Sequence, residues 1–226
     1  MPVEKAKSLK ELQILRVYLW GYNTLLDVEV MRSHRCGHFT EREVRKIMDK
    51  PMSFTITPPL LGQSTVCEPI LRALPDWFGV EEATRQYVRD IDVLPTLLAL
   101  HEDQVLGFLT LKQHYPWAAE LYVMGIFPQA HRQGIGRALV AQAEMVLRAQ
   151  GVEFFQVKTL APTHPDPGYA RTRAFYEAQG FRSLEIFPAF WDLENPCLLM
   201  VKYLGAASHS PLKPDFAAGR PSLWHD

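Results

Sequence analysis

Apolar and polar positions change rhythm along this chain, and the changes divide it into three zones. In residues 1–51 the run LKELQILRVYLWGYNTLLDVEVM repeats its apolar residues three and four apart, the period of one helix face. Thr40 and Glu43 have the spacing of a capping box ahead of REVRKIM, and Pro51 stops that second helix. From Met52 to Leu204 the text alternates. MSFTIT predicts a strand that Pro58 and Pro59 end, and Thr65 with Glu68 predicts a capping box that opens the helix CEPILRAL. VEEATRQYVRDI is a further amphipathic helix. PTLLALH and QVLGFLTLKQH predict strands joined by a hairpin turn at Glu102–Asp103, and AELYVMGIF another strand. GIGRALVAQAEMVLRAQG is a long helix closed by a left-handed Gly151. EFFQVKTL then reads as a strand, ARTRAFYEAQG as a helix ended by Gly180, and FRSLEIF and CLLMVKYL as the last strands. Strands interrupted by helices, with hairpins among them, predict an α/β domain on a mixed sheet. Residues 205–226 have no period and read as a surface tail.

Composition narrows the class. Hydrophobic residues make up 47% of the chain, enough for a packed core, which excludes disorder as a description of the whole. The net charge of −1 lacks the dense basic face that nucleic-acid binding uses. Three widely spaced cysteines, Cys36, Cys67 and Cys197, are no disulfide framework and favour a reducing, cytoplasmic setting. The start MPVEKAKSLKELQ has no apolar core of a signal peptide, and no apolar run approaches the roughly 18 residues of a membrane span. His34, Cys36 and His38 have no second ligand pair nearby, so no metal is expected.

The candidate chemistry lies in MGIFPQAHRQGIGRALVAQAEMVL. A strand ends near Ile126, Pro128 turns the chain, and Gly134–Ile135–Gly136 opens a helix. Glycines there let backbone N–H groups face outward, and a helix N-terminus adds a partial positive charge, together an anion cradle suited to pyrophosphate. Arg132 and Arg137 flank it and can neutralise more phosphate charge. A purely structural turn is the alternative reading. Neither a Gly-x-Gly-x-x-Gly nor a Gly-Lys-Ser/Thr phosphate loop is present.

Here the chain resembles the GNAT acetyltransferases, whose motif Gln/Arg-x-x-Gly-x-Gly/Ala follows a strand and opens the helix that holds the pyrophosphate of coenzyme A. The matching run is His131–Arg132–Gln133–Gly134–Ile135–Gly136, with His at the first position. Downstream, RAFYEAQGF fits the second half of the family's Ala-x-x-x-Tyr-x-x-x-Gly-Phe, with Tyr169 in place of the usual Asn and Thr172 in place of the usual Ala. The resemblance spans about two-thirds of the chain and implies a mixed, mostly antiparallel GNAT-like sheet flanked by helices over 52–204, behind a helical N-terminal extension over 1–51.

The implied activity is N-acetyl transfer from acetyl-CoA to a primary amine on a small molecule or protein, by direct attack in a ternary complex. By resemblance Glu120, fourteen residues before Gly134, is the base that takes the amine proton through water. A salt-bridge or solvent-facing role is its alternative. Tyr176 is the acid for the departing thiolate, with a core aromatic as its alternative. Backbone groups of Val123, Met124 and Ile126 would pair with pantetheine amides, the Met124 N–H serving as oxyanion donor. Trp77, Phe78, Tyr115, Trp117, Asp192 and Glu194 are candidate walls of an acceptor cleft. Cys67 and Cys197 read as small hydrophobes. Transfer of another acyl group and a non-catalytic acyl-CoA-binding module stay open, and homodimer pairing through a sheet edge is an expectation of the resemblance.

Overall fold

The computed structural model of the chain describes residues 53–205. The expected N-terminal helices, the Thr40–Glu43 capping box, the His34/Cys36/His38 cluster and the tail lie outside the described residues. Within them the order is β1 (Thr55–Ile56), α1 (Ser64–Arg72), α2 (Pro75–Phe78), α3 (Glu81–Val93), β2 (Thr96–His101), β3 (Gln104–Tyr115) and β4 (Ala118–Ile126). A 3-10 turn at Pro128–Ala130 leads to α4 (Ile135–Ala149), β5 (Phe154–Leu160), α5 (Pro167–Ala178), β6 (Arg182–Phe187) and β7 (Cys197–Tyr203). The seven strands lie in the order β1-β2-β3-β4-β5-β7-β6, and β4 with β5 is the parallel pair in an otherwise antiparallel sheet. The sheet is mixed, as the strand and helix pattern predicts, and mostly antiparallel, as the resemblance implies.

Helices cover both faces, so the central strands read as continuous apolar runs: Leu106 to Leu111 of β3 are all buried. On one face Cys67, Ile70 and Leu71 of α1, Leu74 just ahead of α2 and Ile91 of α3 pack against Leu98, Phe108 and Val123. On the other, α4 buries Leu139, Val140, Ala143 and Leu147. Burying each such large apolar side chain stabilises the fold by about 1.5–3 kcal/mol before conformational entropy is set against it.

Three expectations are corrected. Thr65 and Glu68 form no capping box: the residue ahead of α1 is Gln63, with no side-chain cap. Glu68 instead accepts from Arg72 Nε at 2.9 Å, one helical turn on. A short helix, α2, stands where no element was predicted, begun by Pro75, whose fixed φ suits a first helical position. Helix α5 opens at Pro167, three residues before the predicted Ala170, because Asp166 caps it by accepting from Gly168 N at 2.6 Å and Tyr169 N at 3.1 Å.

Two departures from regular pairing shape the site. Thr110 pairs with Val123 while Leu111 pairs with Leu121, so Tyr122 is an extra residue, a bulge in β4. The parallel pairing of β4 with β5 ends at Leu121 and Val157, leaving the rest of β4 without a strand neighbour on that side.

Candidate active site

Backbone alternation decides which groups face the open edge of β4. Phe127 N–H donates to Leu106 O at 2.9 Å, toward β3. In an antiparallel ladder every second residue faces the same neighbour, so Gly125 and Val123 also turn to β3. Met124 and Ile126 therefore turn their N–H groups to the unpaired edge. Of the three backbone candidates, Met124 and Ile126 sit where an extended ligand would pair, while Val123 is tied into the sheet and buried at 4% exposure.

Beyond that edge the chain enters the 131–136 loop. Arg132 (φ 65°) and Gly134 (φ 85°) both adopt the left-handed region. Gly134 precedes α4, and the first helical bond is Ala138 N–H to Gly134 O at 3.0 Å. The N–H groups of Ile135, Gly136 and Arg137 are thus left over at the helix start, with no side-chain cap and no acid in the first turn. His131, Arg132, Gln133 and Arg137 are exposed around them. That donor set, uncapped N–H groups at a helix start beside two guanidinium groups, fits a pyrophosphate. His131 itself is turned back, its Nε2 2.8 Å from Ile126 O. The two glycines have different work: a Cβ on Gly134 would meet nothing within 4 Å, whereas one on Gly136 would lie 3.2 Å from Ile126 Cδ1 and Phe175 Cζ. Gly134 supplies the turn and Gly136 the close approach of α4 to β4 and α5. The Ile135 side chain is in the core, so it can serve a ligand through its N–H alone.

Glu120 is buried, and its Oε2 is held from three sides. His114 Nε2 on β3 and Lys158 Nζ on β5 each lie 2.6 Å away, and Gln156 Nε2 donates at 3.5 Å. Glu120 is thus an ion-pair partner, and its second oxygen has no protein partner among the described residues. Lys158 also lies over the Phe190 ring at 5.6 Å. Close by, Tyr122 donates to Asp90 of α3, Lys112 lies over the Tyr122 ring, and Tyr87 packs edge-on to it. His114, Gln156, Lys158, Asp90 and Tyr87 escaped the sequence reading. Alternation on the paired strands would have flagged His114, Gln156 and Lys158, but only with a register that two bulges shift, and no strand pattern reaches Asp90 and Tyr87 on α3.

Tyr176 is 7% exposed on α5, packed edge-on against Phe175 and Phe181. Burial, then the neighbouring Tyr87 and Tyr169, pushes its hydroxyl well above the ordinary tyrosine range, so it keeps its proton. Tyr169 and Thr172, the departures from the family pattern, dock α5 on α2: the Tyr169 hydroxyl donates to Trp77 O at 3.3 Å and Trp77 Nε1 to Thr172 Oγ1 at 3.2 Å. Burial pushes the Cys67 thiol up to about 12 and Cys197 to about 11, which keeps both protonated and unreactive. Tyr115 and Trp117 stack at the β3–β4 tip. Asp192 is occupied in shaping its own loop, accepting from the N–H groups of Glu194 and Asn195. Among the described residues no group of three or more His, Cys, Asp or Glu side chains is placed to hold a metal, and no helix is long and apolar enough to cross a membrane.

Residues 68–181, half of the chain, match the acetyltransferase (GNAT) family. The chain belongs to the GNAT family. Its sheet is shared with a GNAT-family acetyltransferase of Desulfovibrio desulfuricans (TM-score 0.58, 18% identity, covering 68% of this chain and 100% of that one). The ribosomal-protein-S18-alanine N-acetyltransferase of Escherichia coli is similarly close (TM-score 0.57, 17% identity, 70% and 99%). In sequence it is similar to a mycothiol acetyltransferase of Beutenbergia cavernae, 36% identical over 96 residues, 41% of this chain and 30% of that protein. The corresponding protein of Saccharopolyspora erythraea is 29% identical over 140 residues, 59% and 42%. The chain thus spans less than half the length of the curated relatives it matches. The GNAT match covers both the Gly134–Gly136 loop and the Tyr176 helix.

Proposed function

We propose that this GNAT domain is an acetyl-CoA-dependent N-acetyltransferase acting on a primary amine by direct attack in a ternary complex. The observation that carries the reading is the continuity of the unpaired β4 edge at Met124 and Ile126 with the uncapped start of α4. One set of backbone donors suits an extended amide-bearing arm, and the next suits the pyrophosphate at its end. Bound acetyl-CoA would supply an already activated thioester, so no acyl-enzyme is required. Gly134 through Arg137, with Arg132, hold the diphosphate. The Met124 N–H, fixed by the sheet before any charge develops, is the oxyanion donor.

Glu120 is the base carboxylate. It stands four residues before Met124, about 12 Å along the strand, so the proton reaches it through water. Tyr176 donates a hydrogen bond to the departing sulfur; burial disfavours a tyrosinate, so its contribution is that bond and not a completed proton transfer. A ring of tyrosines and acids, Tyr87, Tyr122, Asp90 and Glu120, suits an amine cation on the acceptor side.

The test is release of coenzyme A thiol from acetyl-CoA over a panel of amines: des-acetyl mycothiol, after the relatives' name, an aminoglycoside, and a peptide with an alanine N-terminus. Acceptor-dependent release that collapses in Glu120→Gln supports the proposal. Tight acetyl-CoA binding with no turnover of any amine would overturn it in favour of a non-catalytic acyl-CoA-binding module.

A further inference from the structure

Every turnover leaves a proton on Glu120, and a carboxyl group whose side chain is only 5% exposed has few ways to release it. Its three neighbours differ in what they can do. Lys158 is already a cation and cannot take a proton, and the Gln156 amide does not titrate at all. An imidazole can both accept and release a proton, and that of His114 touches Glu120 Oε2 through Nε2 at 2.6 Å with its side chain 31% exposed. It occupies the bulged position of β3, between Gln113 and Tyr115, at the tip of the β3–β4 hairpin. That end of β4 is the one away from Met124 and the α4 loop.

We propose that His114 is the proton outlet of Glu120, carrying the amine's proton out at the hairpin tip while the cofactor lies against the other end of β4. This rests on the reading of Glu120 as the base. The ammonium N–H bond breaks as a carboxyl O–H bond forms, through water. The carboxyl O–H then breaks as the Nε2–H bond forms on an imidazole that carries its proton on Nδ1, and the imidazolium gives the Nδ1 proton to bulk water. Exchange of the Nε2 proton for one on Nδ1 through water restores the starting tautomer beside the carboxylate, with no other reactant.

The charged and titratable groups around the pair set its direction. Lys158 from β5 and Lys112 from β3, directly opposite Glu120 in the register, are the cations that face the pair. Asp90 of α3 is engaged by Tyr122, and Tyr87 holds its own proton because burial, then Glu120 and Asp90, pushes it up. Neither competes with His114 for the proton.

The variants His114→Gln and His114→Ala separate the relay from a structural role. Gln sets a hydrogen-bonding amide beside Glu120 Oε2 but cannot carry a proton. With acetyl-CoA and whichever panel amine the wild type acetylates, His114→Gln should lose about 10²-fold in kcat, in the range of one acid–base group. Its KM for acetyl-CoA and its Tm should match wild type, and the acidic limb of the pH profile should flatten. Added imidazole should restore His114→Ala saturably. Wild-type kcat in both variants at low buffer concentration, with Glu120→Gln impaired, overturns the relay and leaves the base intact. A Glu120→Gln variant as active as wild type, or a wild type that acetylates none of the amines, overturns the base reading and the relay with it.

Discussion

Substitution of Gly134 separates backbone strain from charge at the α4 loop. Gly134 has φ 85°, and a Cβ there would meet nothing within 4 Å, so alanine adds left-handed strain and no clash. That strain is worth about 1–2 kcal/mol, which lowers Tm by about 2–8 °C for a domain of this size. The loop keeps its shape, and acetyl-CoA at about 100 times its Kd should still stabilise Gly134→Ala by about 2.7 kcal/mol, a rise of about 5–10 °C. Gly134→Glu carries the same strain but sets a carboxylate at the start of α4. There the helix dipole favours it by about 0.3–1 kcal/mol, so the unliganded Glu variant should be as stable as the Ala variant or slightly more so. The same carboxylate repels a diphosphate and competes for the N–H groups of Ile135 to Arg137. The expected order therefore inverts: Glu at or above Ala without ligand, and a shift with acetyl-CoA in wild type and Ala but not in Glu. Differential scanning fluorimetry with and without acetyl-CoA reads both orders. A full shift in the Glu variant would refute the anion cradle, and a shift lost equally in Ala would show that loop shape, not charge, controls binding.

Asp166→Ala removes the two bonds that cap α5 and should cost about 1 kcal/mol in urea unfolding, with Asp166→Asn recovering most of it. Tyr176→Phe should change stability by less than about 0.5 kcal/mol, since its hydroxyl has no protein partner among the described residues, yet should slow thiol release from acetyl-CoA. Stability should fall in alkali. Cys67, Cys197 and Tyr169 titrate in the fold at about 12, 11 and 12 against ordinary values of 9.0, 9.0 and 10.0. Above those ordinary values the unfolded chain sheds protons that the fold retains, so stability present below about pH 9 is lost as pH rises, by at most about 1.4 kcal/mol per pH unit for each group. Unfolding free energies at several pH values between about 8 and 11 should show that slope, and a flat profile would contradict the burial of these groups.

The elements were legible where period and punctuation agree. The apolar run within residues 104–115 forms a strand, Gly151 (φ 79°) and Gly180 (φ 88°) end their helices in the left-handed region, and the Glu102–Asp103 turn joins paired strands. Legibility failed where a residue had a stronger partner elsewhere. Glu68 has capping-box spacing but is taken by Arg72, and α2 is too short to show a period at all. Gly136 looks in sequence like a second phosphate glycine, and only the 3.2 Å approach of Phe175 and Ile126 reveals that packing demands it.

The polar centre around Glu120 was illegible for a different reason: it is assembled from three strands whose relative register no local pattern encodes. Lys158 lies 38 residues from Glu120 and comes within 2.6 Å only because β4 and β5 run parallel from Ala118 to Leu121. The same four pairs that build the ion pair then stop, because the β4 bulge at Tyr122 increases the local twist and carries the following residues away from β5. The proposed base and the proposed oxyanion donor thus both trace to one irregularity. Before the bulge β4 is paired and can hold a buried carboxylate against Lys158; after it β4 is unpaired and presents the Met124 N–H. A strand without the bulge would extend the parallel pairing past Val157 and close the edge on which Met124 and Ile126 are free to donate.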